Sequence, residues 1–206
     1  MDPVLTPKSR KGKLTREAIL LEAVHLASVH GLEGLSIGQL AEATGLSKAG
    51  LFAHFGSKEE LQLATVETAR ERFVAAVLEP VKDLPKGLPR LRGLLESWLA
   101  YGPSGLFRGG CFFAAASTEF DGRPGPVRDR VQATMKDWSG LLRHAVREAV
   151  AEGHLRPDAD PVLLGFEFLA LAMAANNAYQ LHDDPRAFDL ARRAFAARIE
   201  ALEVPA

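Results

Sequence analysis

The sequence predicts an all-α fold, and three observations predict it. Apolar residues recur at spacings of three and four over most of the 206-residue chain. Ser, Thr, Asp, Pro and Gly fall where those stretches begin and end, as helix caps and stops do. No strand-type alternation, internal repeat or low-complexity tract interrupts the pattern. A composition of 47% hydrophobic and 25% charged residues is that of a soluble globular protein of one domain or two small ones. The net charge of -1 gives no global attraction to nucleic acid, so any such footprint must be local.

The first local footprint is N-terminal. Lys8, Arg10, Lys11, Lys13 and Arg16 occur with no acid between them. Mixed with Pro3, Pro7 and Gly12, they predict a flexible basic arm over residues 1–13, in which Arg10, Lys11 or Lys13 reaches DNA phosphates or a minor groove. Thr15 caps a helix to about His30, with Ile19, Ala23, Leu26 and Ala27 on one face and Gly31 as its stop. Glu22 and His25 spell the Glu-x-x-His of di-iron bundles. That chemistry needs a second such pair, and the sequence has none.

Residues 36–58 read as two short helices and a tight turn. Ser36 caps the first, whose apolar positions Ile37, Leu40 and Ala41 share a face, and Gly45 stops it. Ser47 caps the second, with Leu51 and Phe55 on one side and Lys48, Ala49, Gly50, Phe52 and His54 left to face elsewhere. This is a helix-turn-helix, whose second helix lies in the major groove. Ile19, Leu26, Leu40, Leu46, Leu51 and Phe55 form the expected small core of a three-helix domain over residues 14–56.

A capping box, Ser57 and Glu60, starts a helix at Lys58 that runs to about Glu79, where Pro80 ends it. At 1.5 Å per residue this connecting helix (57–80) spans roughly 33 Å. Residues 81–206 follow as a helical body. Leu88, Leu91, Leu94, Leu95, Trp98 and Leu99 line a helix to Gly102. An Ala-rich apolar segment from Cys111 to Phe120 predicts a short buried helix. A long helix from about Pro126 to Glu152 carries Val131, Met135, Trp138, Leu142 and Val146 on one face. Asp160-Pro161 opens a helix through Leu181 whose one formal charge is Glu167. Its length suits a membrane span, but Glu167, Asn176, Asn177 and Gln180 interrupt it and neither flank is basic, so a buried helix between the core and a partner is predicted. A last helix runs to about Leu202, lined by Phe188, Ala191, Phe195 and Ile199.

The run Thr44-Gly-Leu-Ser-Lys-Ala-Gly-Leu-Phe-Ala-His-Phe-Gly-Ser-Lys-Glu-Glu-Leu61 resembles the DNA-binding signature of TetR/AcrR-type transcriptional regulators. The resemblance covers roughly residues 14–62; beyond them only the general architecture agrees. It implies that Lys48, Ala49 and Gly50 face bases while His54 and Lys58 contact phosphates. Phe52 departs from the usual Tyr, keeping the ring that packs on a phosphate and losing the hydroxyl. Ser36 and Ser47 add helix N-termini and hydroxyls suited to phosphate. Chemistry gives Lys48 a guanine O6 or N7 and Ala49 a thymine methyl as targets. The resemblance further implies a homodimer on a palindromic operator, the last two helices pairing with a partner's as a four-helix bundle. Ala174, Ala175, Ala178, Ala191 and Ala194 suit such packing.

It also implies a ligand-binding and dimerisation domain, and repression relieved by a small molecule, for which the apolar composition of the body favours an apolar one. The site is expected among Trp98, Tyr101, Phe107 and Cys111; Phe112, Ala115 and Glu119; Trp138 and Leu142; and Phe166, Ala170, Met173 and Asn177, with Tyr101, Glu119 and Asn177 as polar anchors. No cofactor or metal is expected. One cysteine, Cys111, excludes an intrachain disulfide or Cys-rich zinc site, and with no apolar signal segment the expected location is cytoplasmic. Phosphate-loop, zinc-protease and nucleophile-elbow motifs are absent, so an enzyme is not expected. The competing readings are a small helical enzyme built on Cys111 with His144 or His182, and a non-specific architectural DNA binder.

Overall fold

The computed structural model describes the backbone of residues 7–205 and the side chains from Arg16 onward. The expectations for residues 1–6, and for Arg10, Lys11 and Lys13 as DNA contacts, lie outside the described residues. Within them are nine α-helices: α1 (Pro7–His30), α2 (Ile37–Thr44), α3 (Lys48–Phe55), α4 (Lys58–Phe73), α5 (Leu88–Tyr101), α6 (Phe112–Phe120), α7 (Pro126–Ala151), α8 (Pro161–His182) and α9 (Ala187–Glu200). No β-strand occurs among the described residues, only an isolated bridge between Leu155 and Glu203.

The first helix corrects the sequence reading. It begins at Pro7 rather than Thr15, so residues 7–13 extend a helix instead of forming an arm. The physical reason is local: proline's fixed φ suits a first helical position, and Lys and Arg lose little rotamer freedom in a helix. Gly12 alone opposes it, by about 1 kcal/mol.

α1 to α3 form the head. Ile19, Leu40, Leu51 and Phe55 are buried there, while Leu26 and Leu46 pack against them partly exposed. Gly45 ends α2 in the left-handed conformation (φ 68°), which costs a residue with a Cβ more than glycine. Arg16 stacks its guanidinium over the Phe55 ring at 5.1 Å, tying α1 to α3.

The connecting helix is also less uniform than expected. Ser57 accepts from the Glu60 N–H (3.1 Å) and α4 runs to Phe73, where a π-helical turn (Val74–Leu78) and a 3-10 turn (Glu79–Val81) take over. Pro80 has no N–H for the Ala76 carbonyl. The Glu79 N–H reaches back to Val74 instead, which widens the helix there.

In the body α7 is central, packed against α4, α5, α6 and α8, with α9 closing on α8 and α5. Asp160 caps α8 by accepting from the N–H groups of Val162 and Leu163. Within one subunit α8 is buried on one face only. Leu164, Phe168, Ala172 and Ala175 point inward, while Leu163, Phe166, Ala170, Ala174, Asn177 and Leu181 form an outward stripe. A nearly uncharged helix gives no hydrophobic contrast by which the sequence could tell these faces apart.

Candidate nucleic-acid interface and interior cavity

The outer face of the helix-turn-helix is built by its caps. Ser36 accepts from the Gln39 N–H (3.2 Å) and donates to Gln39 Oε1 (2.9 Å), a reciprocal capping box that uses its hydroxyl proton within the turn. Ser47 accepts from the Gly50 N–H (3.1 Å), leaving its own proton free to donate outward. With Leu51 and Phe55 turned inward, Lys48, Ala49 and Phe52 are exposed and Gly50 and His54 partly so. Phe52 is 51% exposed, a large ring on the surface of the second turn of α3. Lys58, expected at a phosphate, is engaged inside the head. Its ammonium donates to the Glu33 carbonyl (2.7 Å) and pairs with the Glu33 carboxylate (2.9 Å). Hydrogen bonds from Lys58 and then Gln62 hold Glu33 below the usual carboxylate range.

Head and body meet along α1. Glu119 of α6 accepts from the N–H groups of Leu32 (2.7 Å) and Glu33 (3.0 Å), just past the end of α1. Gly31 sits beneath this carboxylate with φ 82°, and a Cβ there would lie 2.6 Å from Glu119 Oε1. Arg108 pairs with Glu22 at 3.1 Å. On α4, Glu67 pairs with Arg70 (2.7 Å) and with Arg130 of α7. Burial works to raise the Glu67 pKa, but the bonds from Arg70 and Arg130 outweigh it and keep the group ionised below the usual range.

The interior of the body holds an aromatic cluster. Phe73, at the end of α4, meets Trp138 (5.1 Å) and Tyr101 (5.3 Å) edge to face, and Trp138 meets Trp98 at 5.0 Å. Around it Trp98, Tyr101, Cys111, Trp138 and Met173, all expected at a ligand site, come together. The packing leaves two gaps of about 20 and 10 Å³, each about the size of one water. Two buried donors here have no partner, the Tyr101 hydroxyl and the Trp138 Nε1–H. Burial, reinforced by the neighbouring Cys111, pushes the Tyr101 pKa well up, and burial likewise raises the Cys111 thiol, so both stay neutral.

Other expected lining residues lie elsewhere. Glu119 is consumed at the head–body junction. Ala115, Phe166, Ala170 and Asn177 are exposed on the outer faces of α6 and α8, turned away from the interior. Phe107, Phe112 and Leu142 are fully packed core side chains that do not border the gaps. The polar residue of α8 that does face inward is Asn176, whose Oδ1 accepts from the Cys111 N–H (3.0 Å). Its signal was its place four residues after Ala172 on the buried stripe. Phe73, Phe113, Ala114 and Thr134 also line the gaps; their contribution depends on which helices become neighbours.

Comparison with known proteins agrees with this geometry. The family description "Bacterial regulatory proteins, tetR family" matches residues 19–65, and "Tetracyclin repressor-like, C-terminal domain" matches residues 87–195. The HTH-type transcriptional regulator TcmR of Streptomyces glaucescens is 27% identical over 181 residues, 86% of this chain and 78% of its own. A TetR transcriptional regulator from Chloroflexus aurantiacus superposes with a TM-score of 0.85 at 28% identity, over 96% of this chain and 100% of the other. AibR, crystallised with isovaleryl coenzyme A and operator DNA, superposes with a TM-score of 0.73 at 25% identity, over 93% of this chain and 100% of its own. The two family descriptions fall on the head and on the body, the superpositions extend over both, and the chain belongs to the TetR family of DNA-binding transcriptional regulators.

Proposed function

We propose that the chain is a homodimeric repressor that holds a palindromic operator through α3 and releases it when a small, largely apolar molecule enters the body. The observation that carries the ligand half of this reading is the position of Phe73. It is the last residue of α4, the helix that starts at the head, and its ring is part of the wall of the interior gap. A molecule larger than water must part Phe73 from Trp138, and that displaces the end of α4. The unpartnered donors of Tyr101 and Trp138 suit a ligand that carries a hydrogen-bond acceptor on an apolar frame.

The DNA half rests on the exposed start of α3, where Lys48 and Ala49 are open to solvent. Two heads at fixed spacing double the base contacts of one short helix. The outward stripe of α8 from Leu163 to Leu181 supplies an apolar seam for the partner subunit. A ligand that fits the released head spacing better than the bound one weakens operator binding by that difference in affinity. AibR, with both an acyl coenzyme A and operator DNA in one crystal, supports a regulator that handles both kinds of molecule in a single chain.

Selection of bound fragments from a random duplex library at two salt concentrations tests the DNA half. Two inverted half-sites are expected; sequence-indifferent binding would overturn it. For the ligand half, a Trp138→Phe protein is expected to keep operator binding and to need more inducer, since it lacks the Nε1–H. Disulfides that pin the two heads at operator spacing are expected to abolish release, and undiminished release would rule out α4 as the lever.

A further inference from the structure

A larger hollow lies outside the aromatic interior. It is an open groove of about 670 Å³ between α1 of the head, the distal part of α4 with its π and 3-10 turns, and α5 with the loop that follows. Its apolar wall is Ala76, Pro80 and Leu106; its polar groups include His25, Arg72 and Ser97. Two of these lack partners. Among the described residues Arg72 has no carboxylate within ion-pair distance, because Glu22 is taken by Arg108 (3.1 Å) and Glu67 by Arg70 (2.7 Å) and Arg130. His25 borders the groove as well, with its unpartnered Nδ1 turned into the protein and sealed from solvent. Burial first, then the charges of Arg108 and Arg72, hold His25 below its ordinary pKa against the opposing pull of Glu22.

A guanidinium with no carboxylate partner on the wall of a groove is a site for an anion, and its planar fork favours a carboxylate over a point charge. Small apolar residues opposite provide for a hydrocarbon body. The π-helical turn of the connecting segment forms part of this wall, where an irregular ladder is easier to reshape than a regular one.

We propose that this groove binds an amphipathic carboxylate, an acid with an aliphatic or aromatic body, its carboxylate paired with the Arg72 guanidinium. The groove's lining shares only Tyr101 with that of the interior gaps. Because it touches α1, the end of α4 and α5 together, an occupant reads the angle between head and body directly. The groove is therefore a second effector site, located at the hinge.

The test is calorimetric titration of the full chain with sodium octanoate and, as the uncharged control, 1-octanol. Arg72→Gln and Ser97→Trp, both at partly exposed positions, respectively remove the counter-charge and fill the groove; Ala114→Leu fills the interior gap. Octanoate binding is expected to weaken about tenfold or more in Arg72→Gln and to vanish in Ser97→Trp. It is expected to survive in Ala114→Leu, or in Met173→Phe should the first fail to fold by its thermal melt. Octanol affinity is expected to be indifferent to Arg72→Gln. No octanoate binding by the native chain, or binding that ignores Arg72 and Ser97 and is lost on filling the interior, would overturn the proposal. The second result would leave the interior-ligand reading standing, so the two can fail separately.

Discussion

The Glu119 carboxylate accepts the Leu32 N–H at 2.7 Å, joining α6 of the body to the turn that follows α1 in the head. The same carboxylate takes the Glu33 N–H at 3.0 Å. Those N–H groups face a carboxylate 86 and 87 residues away, so the head is docked through its own backbone rather than through a side chain that could swing away. Charge-assisted bonds of this kind contribute about 1.5 to 3 kcal/mol each, more than an exposed ion pair such as that of Arg108 with Glu22.

Removing this contact is expected to loosen the head without unfolding the body. A Glu119→Gln protein keeps the shape and loses the charge, and urea unfolding is expected to show about 1 to 3 kcal/mol less stability. Operator binding is expected to respond less to ligand, since movement of α6 no longer pulls on Leu32 and Glu33. Unchanged stability and unchanged induction together would show the contact to be incidental.

Recognition is expected to concentrate at the start of α3. Lys48→Ala should cost about 1 to 3 kcal/mol per half-site and relax preference at the base pair Lys48 faces. Phe52→Tyr restores a hydroxyl at an exposed ring and should tighten binding by about 0.5 to 1.5 kcal/mol per head. The salt dependence should keep its slope, because a neutral donor displaces no counter-ion. Fluorescence titrations of operator duplex over a range of salt separate the two effects.

The outward stripe of α8 carries a direct test of assembly. Phe166 is 69% exposed in the subunit. Burying most of such a side chain is worth about 1 to 2 kcal/mol per protomer, and an Arg in its place puts a charge into each side of the proposed seam. Phe166→Arg is therefore expected to give a monomer by light scattering at micromolar concentration, with operator affinity reduced accordingly. A native chain that is monomeric under the same conditions would defeat the dimer reading.

Acid is expected to weaken the head through Glu33. Its folded pKa is held below the ordinary 4.5 by hydrogen bonds from Lys58 and then Gln62. Near that pH the unfolded chain thus binds more protons than the folded one. The stabilisation is complete above about pH 4.5 and is lost as pH falls through the lower folded value. Urea midpoints measured from neutral pH downward should fall more steeply for the native chain than for Glu33→Gln. Lys58→Met should flatten the same limb, since its ammonium is the larger cause.

Much of the fold was legible because its signals are local. Ser36, Ser47, Ser57 and Asp160 each cap the helix that follows them, and the Leu51 and Phe55 pair already said which side of α3 faces the core. Caps, stops and 3.6-residue periodicity act within a turn or two of chain, so a sequence carries them in full. The start of α1 was misplaced because Pro7 fits both a loop and a first helical turn, and residues 8–13 carry no apolar stripe to decide between them.

The exposed N-terminus of the recognition helix follows from the same local signals, and with it the family. What binds in the body does not. Whether Asn176 or Asn177 faces inward, whether Glu119 anchors a ligand or the head, and whether Lys58 is free for phosphate all turn on partners 25 to 87 residues away. Local chemistry decided the helices and which side chains of α3 are exposed. Only the packing of α4, α6, α7 and α8 around one aromatic cluster decided which polar groups are satisfied by the protein itself and which remain for something else, because hydrogen-bond satisfaction depends on neighbours in space.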